Sequence, residues 1–253
     1  MLNHNFDLSK ISSVLEGLEE TIIFKLIDRA QFRYNPSVYK KGKSGFKGAH
    51  DESLFTLRLR FQEKMDALFG RFCVPEERPF CTRLPGPRRR LATPPTGLAI
   101  DDLDAINLGE KILSAYGDLV PRICRPGDDG HYGSSVEHDV YALQAIARRV
   151  HYGSLYVAES KYRSDPKRYG DMITAKDRAG ILSLLTRRDV EKAIIARIRE
   201  KVAVTQAKVN LDIRHVIDPG IILAFYHNCI IPLTKEGEVL YLLNRRPPKR
   251  APR

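Results

Sequence analysis

The chain has 253 residues, 43% of them hydrophobic, enough to fill the core of one large domain or two small ones. No run of about 18 or more apolar residues occurs, and the opening MLNHNFDLSK has neither a secretory apolar stretch nor the Arg/Ser-rich, acid-poor look of a transit peptide; a cytoplasmic protein with no membrane contact is expected. The net charge of +11 raises nucleic acid as a partner, but nine of the positives (Arg83, Arg88, Arg89, Arg90, Arg245, Arg246, Lys249, Arg250, Arg253) sit in a Pro-rich segment and the C-terminal tail, leaving +2 for the body. These read as solvated loops or weak polyanion-binding tails, not as a surface that reads nucleic acid.

In chain order, residues 8–32 carry Ile11, Leu15, Leu18, Ile22 and Leu26 at three- and four-residue steps, which predicts a long helix, with Glu16, Glu19 and Glu20 on other faces. Asn35-Pro36 stops it, and the Gly/Lys-rich 40–50 is a loop. A second helix is expected over 52–71, on Leu54, Leu57, Phe61, Met65, Leu68 and Phe69. From 74 to 103 prolines are too frequent for regular structure, and 82–103 is a Pro/Arg-rich loop. Helical spacing returns over 104–123. PGDDGHYGSS (126–135) is a turn whose serines can cap a helix over 136–165 that carries Arg149 and Lys161. Short helices follow at 167–174 and 176–185, then a longer one over 188–207. Asp218-Pro219 opens a last helix to 244, kinked at Pro232. The expected fold is an all-α, single-domain, multi-helix bundle over 1–246, with a basic, disordered tail at 247–253.

Cys73, Cys81, Cys124 and Cys229 have no CxxC spacing and read as reduced structural thiols. No HExxH is present and His131 with His138 is too loose a pair, so no metal is expected. GxGxxG, Walker, GxSxG and Cys/His signatures are absent too. What remains is polar residues on helical faces: Arg149 and Lys161, Thr234 and Glu238 at i and i+4, and Arg187 and Glu191 at the same spacing. By periodicity alone each is more simply a solvated group or a surface ion pair.

The segments TIIFKLIDRAQFRYNPSVY (21–39), RFCVPEERPF (71–80), HYGSSVEHDVYALQAIARRVHYG (131–153), VAESKYRSD (157–165) and IIPLTKEGEVLYLLNRR (230–246) change that weighting. In this order, with RRVHYG, VAESK and PLTKE as the most specific blocks, the chain resembles the all-helical chorismate mutases of the fungal and plant type. The resemblance implies a homodimeric enzyme of phenylalanine and tyrosine synthesis that rearranges chorismate to prephenate without a cofactor, by positioning and electrostatics. It further implies that Arg149 clamps a substrate carboxylate and Lys161 donates to the ether oxygen. Glu238 is a second donor there, protonated through a burial-raised pKa; Glu191 accepts from the ring hydroxyl, and Thr234 lines the pocket.

Three departures from the family pattern matter. Ser12 stands where the family has an arginine that clamps the second carboxylate, and Arg187 stands where relatives more often have asparagine; Arg187 is expected to supply the missing charge. Relatives place the lysine eleven residues after the arginine, but here the step is twelve. Eleven residues close three turns to within about 20°, whereas twelve leave the side chains about 120° apart, so a regular helix would turn Ser160 inward. A one-residue π-bulge around 153–155 would restore the alignment. The family's tyrosine and tryptophan effector site, between subunits, is matched in part by Arg71, Gly133 and Ser134. Gly70 replaces a second arginine, and Glu137, in place of a threonine, would repel an effector carboxylate. An alternative reading of these departures is a chorismate-mutase-like binding or interaction module with lost or much reduced catalysis.

Overall fold

The computed structural model describes residues 6–43, 45, 47, 50–88, 95–208 and 214–247. Arg89 and Arg90 lie outside the described residues, as does the tail from 248 on with Lys249, Arg250 and Arg253. Among the described residues all regular structure is helical, as the three- and four-residue spacing requires. α1 (Leu8–Ala30) starts at Asp7, whose carboxylate accepts from Ser9 N–H at 2.9 Å. α2 (Leu54–Leu68) starts at a capping box made by Ser53 and Thr56.

The segment expected to be helical from 104 opens with a short 3₁₀ turn, and α3 spans Gly109–Ile123. α4 (Tyr132–Tyr152) begins earlier than the serines suggest, since Ser134 and Ser135 lie inside its first turn and the Ser135 hydroxyl donates to Tyr132 O. A π-helical turn at Gly153–Val157 joins α4 to α5 (Ala158–Ser164). α6 (Pro166–Thr174) and α7 (Arg178–Leu185) are capped by Asp165 and Asp177, and α8 (Arg188–Ala207) follows directly.

The last predicted helix is in three pieces: α9 (Pro219–Phe225), a π turn at Tyr226–Ile230, and α10 (Ile231–Leu243). The change of pitch precedes Pro232 rather than sitting on it. A proline has no N–H to give and crowds the carbonyl four residues back, and widening the turn just upstream relieves both.

α1 and α4 pack along each other, with α2, α3, α8 and α9 around them, burying Ile22, Leu26, Ile112, Val140, Leu143 and Ile198. At roughly 1.5–3 kcal/mol for each fully buried large aliphatic, this packing is the main stabilising term. A second apolar cluster, with Leu155, Tyr156, Ile181 and Leu242, joins the π turn, α7 and α10. The Arg29 guanidinium and the Asp139 carboxylate form a fully buried pair, closed by the hydroxyls of Tyr39 and Tyr116, which tie α1 to α4. Buried charges persist only when so completely partnered.

The described parts of the proline-rich stretch are anchored. Buried Glu63 accepts the backbone N–H groups of Phe80 and Cys81, and Arg246 N–H donates to Ala99 O at 2.7 Å. Arg245 corrects the expectation of a solvated terminus: its side chain is 10% exposed and forks onto buried Glu159. A guanidinium that completes a buried carboxylate is held by the fold.

Candidate active site

Where α1, the π turn with α5, α8 and α10 meet, they line a cleft of about 360 Å³. Arg149, Lys161, Glu238, Glu191, Thr234 and Arg187 all line it, and so does Ser12. Residues 226 positions apart in sequence share its wall because α1 and α10 both pack against the α4–α5 segment.

The π turn decides which side chain faces in. Taking up one extra residue between Gly153 and Val157, it brings Lys161 back into phase with Arg149, where a regular helix would present Ser160. Lys161 Nζ lines the cavity, 3.1 Å from Glu238 Oε2 and 3.2 Å from Leu185 O. Ser160 points the other way, its hydroxyl donating to Phe6 O at 2.7 Å. The turn is tightly packed: Ser154 Oγ donates to Val150 O and Thr234 O, and a Cβ at Gly237 would overlap that hydroxyl.

Arg149 is almost fully buried. Its Nη1 donates to Thr234 Oγ1 at 3.2 Å, its Nη2 lies 3.7 Å from Glu19 Oε1, and its Nε has no hydrogen-bond partner among the described residues. A buried guanidinium with unused donor capacity at a cavity wall is poised for an anion. Burial pushes the Glu238 carboxyl above its usual range, against the opposing pull of Lys161, Arg149 and Lys235. The expected direction of that shift is therefore present.

Arg187 and Glu191 do not pair with each other. Arg187 is the N-cap of α8, 63% exposed at the rim, and its guanidinium meets Asp189 at 3.2 Å. A residue before the first turn is not yet on the helical spiral, so the i, i+4 rule fails there. Glu191 instead binds Lys235 of α10 at 3.0 Å.

Three charged cavity residues are not among those the sequence points to: Glu19, Arg197 and Lys235. Glu19 was assigned to an outer face but is fully buried, forked by Arg197 through two 2.9 Å hydrogen bonds, with Lys201 and Arg149 close by. Its position four residues after Leu15 and three before Ile22 puts it in the apolar stripe, which was the available signal. Lys235 follows Thr234 in PLTKE and could have been found by adjacency.

Arg71 and the pair Gly133–Ser134 are not together within this chain. Arg71 is held by Asp66, Glu77 and Gln144, while Gly133 and Ser134 are exposed in the first turn of α4, roughly 16 Å upstream of Gln144 along the helix. Glu137 is paired with Arg58 at 3.0 Å. A trough of about 440 Å³ on the outer side of α8 shares Glu191 and is bordered mainly by exposed groups such as Arg188, Lys192, Arg199 and His227; we assign the chemistry to the 360 Å³ cavity, where buried charged groups converge. Among the described residues no group of three or more His, Cys, Asp or Glu could hold a metal ion, and no helix is long and apolar enough to cross a membrane.

No family model matches the chain. The chloroplastic chorismate mutase 1 of Zea mays is 38% identical over 250 residues, covering 94% of this chain and 78% of its own length. The chorismate mutase of Schizosaccharomyces pombe is 36% identical over 252 residues, covering 97% of this chain and 98% of its own. The crystal structure of a Candida albicans chorismate mutase in complex with L-tryptophan superposes with a TM-score of 0.86 at 35% identity, over 95% of this chain and 92% of that one.

Proposed function

The chain belongs to the chorismate mutase family, and from that premise we propose that chorismate binds in the cavity between α1, α5, α8 and α10 and is rearranged there to prephenate. The protein is an isomerase: one C–O ether bond breaks and one C–C bond forms within a single molecule. Nothing is transferred to the protein, so its task is to hold the reactive conformer and to stabilise charge that gathers on the ether oxygen.

Arg149, steadied by Thr234, clamps one carboxylate through its remaining donors. Lys161 and protonated Glu238, 3.1 Å apart, donate to the ether oxygen together. Glu191, held by Lys235, accepts from the ring hydroxyl. Arg187 at the rim meets the second carboxylate in place of the arginine that Ser12 replaces. Its pair with Asp189 is exposed and screened by solvent, so it can swing inward at little cost.

The observation that carries this reading is the convergence of Lys161 and Glu238 opposite Arg149. Of the two departures that favour the catalytically lost alternative, the extra residue is accommodated by the π turn and only Ser12 remains. Loss of chorismate absorbance on adding the purified protein tests the reading, with Lys161→Ala as control; a rate equal to the spontaneous reaction would sink it.

We also propose a homodimer, supported by Phe61, Met65 and Phe69, an exposed stripe at four-residue steps on α2 and its C-cap. We further propose a weak site for the aromatic amino acid effectors tyrosine and tryptophan around Arg71, Gly133 and Ser134, between subunits. The tryptophan complex of the Candida albicans relative supports that class of ligand.

A further inference from the structure

α10, which lines the cavity, also makes contacts behind it. Thr234, Glu238 and Tyr241 follow one another at steps of four and three and form a stripe along α10, and Arg245 lies two residues beyond its end. The first two face the cavity. The last two reach past it to Glu159 on α5, two residues before Lys161.

Glu159 is fully buried, and both its oxygens are doubly occupied. Oε1 accepts from Arg163 Nε at 2.8 Å and Arg245 Nη2 at 3.0 Å, while Oε2 accepts from Arg245 Nε and Tyr241 Oη, each at 2.7 Å. Arg245 also stacks over the Tyr162 ring at 3.5 Å. A buried carboxylate costs several kcal/mol in lost hydration unless partnered this fully, so its register against α10 is narrowly defined. α5 and α10 are thus joined twice: by Lys161 with Glu238 at the cavity, and by Glu159 with Tyr241 and Arg245 about one turn away. The π turn, packed on α10 through Ser154, sets the phase of the helix beyond it, and the Glu159 contacts give that helix a second point of register against α10.

We infer that the Glu159–Tyr241–Arg245 cluster is a positioning latch for the rearrangement, setting the rotation of α5 so that Lys161 is presented to the ether oxygen. The latch touches neither substrate nor reacting atoms. It acts through Lys161, and the catalytic part of the inference rests on the cavity assignment above. The same cluster draws in the end of the proline-rich stretch, since Tyr241 Oη accepts from Ala99 N–H and Arg163 donates to Gly97 O.

The test compares Arg245→Ala, Arg245→Lys and Tyr241→Phe with the parent protein by kcat, KM, the pH profile of kcat and acylation of Lys161 relative to Lys235 by an amine-reactive ester, read by mass spectrometry. Arg245→Ala is expected to lower kcat by about 10- to 100-fold with a smaller change in KM, the size of effect that a misplacement on the order of 1 Å produces. Lysine at 245 keeps the charge without the fork and should recover part of the loss.

Glu238 is faced by Lys161 from α5, Arg149 from α4, Tyr169 from α6 and Lys235 on its own helix. When Lys161 drifts away, the alkaline limb of the profile should move to higher pH, and Lys161 should be acylated several-fold faster relative to Lys235. A residue that only stabilises the fold would lower the melting temperature and move neither. If Arg245→Ala does not fold, Tyr241→Phe, which removes one hydroxyl, decides. Folded variants with unchanged kcat, pH midpoint and Lys161 labelling would overturn the latch. An inactive parent protein would overturn the cavity assignment instead, with labelling still reporting on the latch.

Discussion

Lys161 Nζ lies 3.1 Å from Glu238 Oε2, and the two side chains come from helices 77 residues apart in sequence that pack against each other. Glu238 can donate to the substrate only when protonated. Burial raises its pKa, so kcat should be full below that pKa and fall about tenfold per pH unit above it. Glu238→Gln, a donor at every pH, should abolish the alkaline decline. A decline that persists in the glutamine variant would assign it to another group.

Arg149 and Arg187 should separate cleanly. Arg149→Ala removes a buried clamp and is expected to lower kcat/KM by roughly 10²- to 10³-fold. Arg187→Ala removes an exposed rim charge and should raise KM by up to about tenfold with little change in kcat. Steady-state kinetics on the two variants checks both, and an unaltered Arg187→Ala enzyme would mean that the second carboxylate is held elsewhere.

Gly153 is committed to its place. A Cβ there would stand 2.7 Å from Thr234 Cγ2 and 3.2 Å from Arg149 Nη1. Gly153→Ala should therefore cost about 1–3 kcal/mol of stability, read by thermal or urea unfolding, and lower kcat as well because both displaced groups line the cavity.

His151 is buried and its Nε2 accepts the Leu108 N–H at 3.1 Å; burial beside Arg78 lowers its pKa to about 3. The folded chain thus refuses a proton that the unfolded chain takes up near pH 6.5. The contribution is absent above pH 6.5, and stability falls as pH drops from there toward 3, by about 1.4 kcal/mol per pH unit for this one group. Urea midpoints across that range should show the slope, and replacing His151 with glutamine should flatten it.

Effector binding should be weak. Arg71 is already occupied by Asp66, Glu77 and Gln144, and Glu137 places a carboxylate near the expected site. Isothermal titration with tyrosine and with tryptophan should show affinities no tighter than the millimolar range, and Glu137→Thr should improve them about tenfold by removing a like charge. Tight binding to the parent protein would contradict this.

Helical phase made much of this legible in the sequence. Thr234 and Glu238 share a face because of their spacing, and the twelve-residue step from Arg149 to Lys161, set against the eleven of the family it resembles, left a straight helix or a π turn, of which the π turn is found. Phase has nothing to say outside a helix or across helices. Arg187 precedes α8 and Arg245 follows α10, so both are oriented by local loops and partners. Glu19 was misplaced for a different reason: as an acid it was assigned to water, although its position is apolar and its burial depends on arginines and lysines supplied by α4 and α8.

The π turn between α4 and α5 has a consequence for how this helix tolerates change. In a straight helix one inserted residue rotates everything downstream by about 100°, which would carry Lys161 out of the cavity and Glu159 off its partners. Here the rotation is spent within Gly153–Val157 and the remainder of the segment is shielded from it. Length and orientation are thereby uncoupled, so the wall of the cavity carries an additional residue while Lys161 still faces inward.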